Sequence, residues 1–247
     1  TKRINKNLPV NLWAYKRTGI DIANFSLVVD NSDDESFKAG LDYYLELGLR
    51  HFQREFTDDL TLNANIGEVE FEINTTNKRE NTSLFNWYEI LNASIITKNH
   101  KFKDEIISLY GKVVKEDNDL FWNKSVKLLL MCLNIIEFED SIILDIIETV
   151  NSGMVSYQGV EESGLVFSKE GQEIREKIWF PVMNLFYLAF KGDSKEFNDN
   201  LKNYLLFKKQ WIIENNEHDN SHYWIDFPLL SCCSYACENG IVISTMS

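Results

Sequence analysis

Residues 36–56 read "SFKAGLDYYLELGLRHFQREF". Phe37, Leu41, Tyr44, Leu45, Leu49, Phe52 and Phe56 fall at spacings of three and four. That period places them in one apolar stripe along an amphipathic helix. The acids of "NSDDES", which lead into the stretch, suit the positive end of a helix dipole. The same period then recurs along the chain. Leu84, Trp87, Tyr88, Leu91 and Ile95 mark a helix over 83–97, and Ile106, Ile107, Tyr110 and Val114 mark one over 103–114. Further helices are expected over about 119–136 and 140–150. The longest candidate, 169–190, contains Pro181, which should kink or split it. Gly192 can stop that helix, and Asp193 or Ser194 can cap the next, over 193–213.

Composition agrees with helices. The 247 residues hold only 3 prolines and 11 glycines, too few turn residues for a sandwich or barrel of this length. No stretch rich in Pro or Ser separates parts of the chain, and no fixed period marks a repeat array. The expected fold is therefore mainly α, a single-domain multi-helix bundle over 1–247 with at most one or two short β segments. Two pieces break the helical period. "EVEFEI", 68–73, alternates acid with apolar residue, as a half-buried strand does. "IVIS", 241–244, is the other β-like piece. The two are expected to pair, or each to lie extended over the helices. Asn151 to Ser168 carries three glycines and little periodicity, the mark of a binding loop or of a plain connection with residues tucked into the core.

The closing stretch, "SHYWIDFPLLSCCSYACENGIVIST" at 221–245, poses the question of chemistry. Cys232, Cys233 and Cys237 crowd one apolar run, and Cys132 sits in "KLLLMCLNII". Zinc knuckles need C-x-x-C with a second pair elsewhere, and neither is present. The run reads better as a core helix from Phe227 to Asn239. Asp226 is its N-cap, Pro228 lies in its first turn, and Gly240 permits a left-handed exit. The thiols then fill space as small hydrophobes. His218, Asp219 and His222 in "EHDNSH" have the spacing of a helical metal pair, and a metal-dependent hydrolase using them is the enzymatic alternative. No second His-Asp pair completes such a site, and the stretch also suits a turn and cap. The chain holds no G-x-G-x-x-G, Walker loop, G-x-S-x-G or H-E-x-x-H. No catalytic residue, metal or cofactor is expected.

Charge narrows the partners. The formal net charge is -13. A broad basic face for nucleic acid is not expected, and an acidic protein attracts basic partners. Between Lys127 and Lys169 there is no Lys or Arg, yet Glu137, Glu139, Asp140, Asp145, Glu148, Glu161 and Glu162 lie there. These acids, with Tyr157 from the glycine-containing loop, form the expected partner-binding surface. Simple solvation of an acidic protein is the plainer account. No run of 18 apolar residues and no secretion signal is seen, so a cytoplasmic protein without a membrane span is expected.

Three stretches carry a resemblance. "FNWYEILNASIITKNHKFKDEIISL" (85–109) has a Trp-bearing helix, a short polar break and another helix. "FYLAFKGDSKEFNDNLKNYLLFKKQWI" (186–212) breaks at Gly192-Asp193 before a long helix. "FPLLSCCSYACENGIVIS" (227–244) ends an apolar helix with Ala236, Gly240 and a β-branched tail. Over about 36–245 the chain resembles the immunity protein 49 family of bacterial polymorphic toxin systems. It departs by carrying Cys232 and Cys233 where small alanines are common, and by lacking a proline-ended tail. The resemblance implies an all-helical, non-catalytic protein that binds and neutralises a cognate toxin. A basic nuclease is the kind of toxin that the charge would suit. A helical scaffold protein without a toxin partner is the other non-catalytic reading.

Overall fold

The computed structural model describes residues 2–4, 18–23, 26, 34–66, 69–75, 82–116, 119–152, 169–215 and 226–244. The fold is mainly α, as the stripes predict. Without a linker the sequence reads as one domain. The contacts gather into two compact units, Thr1–Glu116 and Asp117–Ser247.

The first unit is built on α2 (Asp34–Phe56), whose stripe is its core: Leu41, Tyr44, Leu45, Leu49 and Phe52 are buried. A short helix α1, residues 18–23, crosses α2 backbone to backbone. A Cβ on Gly40 would lie 2.7 Å from Ala23 N, and one on Gly19 would lie 2.7 Å from Gly40 O. The other side of α2 covers a three-stranded sheet of order β1-β3-β2. Its strands are β1 (Lys2–Ile4), β2 (Thr61–Ile66) and β3 (Val69–Asn74). β3 is the expected "EVEFEI" strand. It pairs antiparallel with β2 and parallel with β1, not with "IVIS". The sheet thus has three strands, where one or two short β pieces are expected. Leu62, Ala64 and Ile66 do alternate in β2, but asparagines fill the positions between and blunt the pattern. Leu47 of α2 packs on Ala64 and Ile73. The Glu46 carboxylate, on the same helix, accepts the Asn65 N–H at 2.8 Å and Arg50 Nε at 3.0 Å.

Helix α3 (Leu84–Ile96) is capped by Ser83 and buries Trp87 completely. The helix expected over 103–114 is two, α4 (His100–Ser108) and α5 (Tyr110–Glu116). The Ile106 carbonyl explains the break. It accepts the Trp87 indole N–H at 2.8 Å and the Leu109 N–H at 3.2 Å, and so is taken before Tyr110 could use it in a continuous helix.

The second unit holds α6 (Leu120–Cys132), α7 (Ile142–Ser152), α8 (Lys169–Ile174), α9 (Phe180–Lys191), α10 (Ser194–Glu214) and α11 (Phe227–Glu238). α9 touches α6, α7, α10 and α11 and buries Met183, Leu185 and Phe186 among them. The long helix expected over 169–190 is divided just before Pro181, although the chain's helical course continues. A π-helical turn, Arg175–Trp179, joins α8 to α9, and Phe180 N–H reaches back to the Arg175 carbonyl. The wider register leaves room for a ring that has no N–H to donate. Gly192 ends α9 at φ 73°, and Asp193 caps α10 by accepting the Glu196 N–H at 2.9 Å. Asp226 caps α11, Pro228 lies in its first turn and Gly240 exits at φ 82°. Gly240 N–H to Cys237 O and Ile241 N–H to Ala236 O complete a Schellman ending. "IVIS" then runs along α10. The Asn198 amide donates to Val242 O at 3.0 Å and accepts the Ser244 N–H at 2.8 Å.

Candidate functional site

The expected acidic surface begins where α6 stops. Asn134 adopts the left-handed conformation, φ 58°, and Ile135 N–H returns to Leu130 O at 2.9 Å. The chain is thereby turned out toward solvent, and Ile135 is 45% exposed. Phe138 brings it back. Its ring stacks on Phe190 of α9 at 4.3 Å and 10°, and Lys191 Nζ lies 4.8 Å above it. Glu137, Glu139 and Asp140 therefore stand on a short loop that Phe138 holds to Tyr187 and Phe190 of α9. α7 follows. Its inner positions Ile142 and Ile146 are buried, which turns Leu144, 63% exposed, and Glu148 outward.

Five of the eight sequence-predicted residues can thus be placed. Glu137, Glu139, Asp140 and Glu148 are exposed, and Asp145 is half-buried in the first turn of α7. Tyr157, Glu161 and Glu162 lie outside the described residues, as do His218, Asp219 and His222 of the alternative metal site. The stretch without bases is not without bases in space. Lys127 of α6 meets both Glu139 carboxylate oxygens at 2.7 Å, and Lys191 of α9 meets Asp140 at 3.1 Å. Lys124 donates to the Asp145 carbonyl at 2.9 Å. Helices far apart in sequence supply these cations, which a linear count cannot see. The pairs are exposed, worth at most about 1 kcal/mol each, and a partner can displace them cheaply. Among the described residues, no ion pair engages Glu137 or Glu148.

Three of the four thiols are held in their protonated form. Cys132 and Cys232 are fully buried. Cys132 donates to the Phe186 carbonyl at 3.7 Å, and burial pushes its thiol up to about 12. Burial likewise raises Cys232, and Cys233 to about 11. A thiol held protonated this firmly is not a thiolate at neutral pH. The space-filling reading needs one correction: Cys233 is only partly buried and Cys237 is exposed, because they lie on the face of α11 turned from α9. Among the described residues, no group of three or more His, Cys, Asp and Glu is placed to hold a metal. No helix among them is long and apolar enough to cross a membrane.

A second feature of this unit escapes sequence reading. A cleft of about 320 Å³ opens between the π-helical turn and α10, lined by Glu176, Lys177, Pro181, Asn200, Asn203, Tyr204 and Phe207. Only the proline in a long apolar helix could have hinted at it. Comparison with models of known protein families, with curated proteins and with solved structures finds no match.

Proposed function

We propose that this protein is a binding protein for a basic protein partner, acting in the manner of a toxin-neutralising immunity protein rather than as a catalyst. The observation that carries the proposal is the rim of α6 and α7. Exposed Ile135 stands with exposed Glu137, Glu139 and Asp140 on the loop pinned by Phe138, and exposed Leu144 and Glu148 follow on α7. Apolar groups ringed by charge on a rigid support are the chemistry of an interface. The net charge of -13 adds long-range attraction for a basic surface. Such a partner gains by exchanging its own cations for Lys127 and Lys191, and by covering Leu144.

Co-expression with the product of the adjacent gene, followed by pull-down and a growth assay, tests the reading. A stable complex that restores growth is expected. The association rate should fall roughly tenfold from low to physiological ionic strength. A complex whose formation ignores salt, or no complex and no rescue, overturns it.

A further inference from the structure

We propose that the cleft between the π-helical turn and α10 takes a short extended segment of a basic polypeptide. The inference borrows from the proposed function only the sign of the partner's charge. The geometry starts from Pro181. The Glu176 carbonyl would ordinarily accept from the N–H four or five residues on. Phe180 N–H bonds Arg175 O, and Pro181 has no N–H. Glu176, a residue that lines the cleft, is therefore left without the usual helical donor for its carbonyl. The opposite wall is one face of α10, where Asn200, Asn203 and Phe207 follow at spacings of three and four. Asn200 Nδ2 is held by Glu196 O at 2.9 Å, which orients its amide, and Asn203 is exposed one turn further. Each asparagine side chain offers a donor and an acceptor side by side, the pair that an extended backbone presents in return.

Pro181 and Phe207 give apolar surface beneath those amides. Tyr204, the remaining lining residue, is fixed because its hydroxyl donates to Asp226 at 2.8 Å. The rim selects charge. Glu173, Glu176 and Glu214 all act on the single Lys177 and strengthen its hold on its proton. Lys177 is already paired with Glu173, so Glu176 on the wall and Glu214 nearby are left to favour a ligand that carries Lys or Arg. The volume lies at the low end for ligand sites, about 300 to 1,000 Å³, and suits a few residues of chain rather than a folded element.

The test uses the full chain, labelled with ¹⁵N, and three octapeptides: alternating Lys and Ala, the same with N-methylated backbone amides, and alternating Glu and Ala. The Lys peptide should move the Asn200 and Asn203 side-chain amide signals. N-methylation should weaken binding about tenfold, since it removes the backbone donors and keeps the charge. Asn203→Ala, at an exposed position, should weaken it by a similar factor. The Glu peptide should not bind. No shift with the Lys peptide, equal binding of the N-methylated peptide, or an unaffected Asn203→Ala variant overturns the inference. A protein partner captured on the α6–α7 rim while the Lys peptide fails to bind would sink the cleft alone. A bound peptide with no protein partner would sink the proposed function alone.

Discussion

Asp226 shows how much one short side chain carries. It accepts the Leu229 N–H at 3.0 Å as the cap of α11, accepts the Tyr204 hydroxyl, and pairs with the largely buried Lys208. Asp119 repeats the arrangement at α6. It caps with Phe121 and Trp122 N–H and pairs with Arg175, whose guanidinium lies 5.0 Å over the Phe121 ring. The sequence announces the cap at Asp226 and is silent on the cations, which arrive from 18 and 56 residues away. Asp226→Ala removes the cap and leaves an ammonium buried without its counter-charge. It should cost about 3 kcal/mol in urea unfolding. Asp226→Asn keeps a capping oxygen and should cost distinctly less. The thiols make a different prediction. The folded protein holds Cys132 protonated up to about pH 12, while an unfolded thiol titrates near 9. The stabilisation is whole below pH 9 and is lost as pH rises toward 12, so stability should decline across that window. Replacing Cys132 with Ala should lessen the decline, to which Cys232 and Cys233 also contribute. Iodoacetamide at neutral pH should alkylate exposed Cys237 first and reach Cys132 and Cys232 only on unfolding.

At the scale of elements, the stripes were legible because burial on one side of a helix writes itself into a period of 3.6. The caps at Asp193 and Asp226 were legible for the same local reason. What stayed hidden depends on a second element. The break at Leu109 needs the indole of Trp87, and β2 needs β3 and the Leu47 face of α2. The crossing of α1 and α2 was equally invisible, since a glycine in a sequence does not say what lies against it. Gly40→Ala would set a methyl 2.7 Å from the Ala23 nitrogen. Backbone cannot yield as a side-chain tip can, so the helices must part. The cost should be about 1 to 3 kcal/mol by thermal or urea unfolding, despite the higher helix propensity of alanine.

For the whole molecule, charge was the most legible property and its distribution the least. The count of -13 follows from composition alone. That Lys127 and Lys191 fold back onto Glu139 and Asp140 does not. The acids with most to offer a partner are thereby Glu137 and Glu148. Reversing both to Lys should slow association with a basic partner several-fold and reduce its salt dependence. The effect should exceed that of reversing Glu139 and Asp140, whose charge is already partly met. Stopped-flow association at two ionic strengths separates the cases.

The ending of α11 has a consequence for chemical ageing. An Asn-Gly pair in a flexible chain is fragile, because the glycine nitrogen attacks the asparagine amide, closes a succinimide ring and expels ammonia. Here Gly240 N–H is held by Cys237 O at 3.1 Å, and Asn239 Nδ2 is held by Tyr235 O at 2.8 Å. Nucleophile and leaving group are both tethered to the helix they terminate. Native protein stored at mildly alkaline pH should accumulate isoaspartate at Asn239 far more slowly than a peptide of the same sequence, and the difference should vanish in urea.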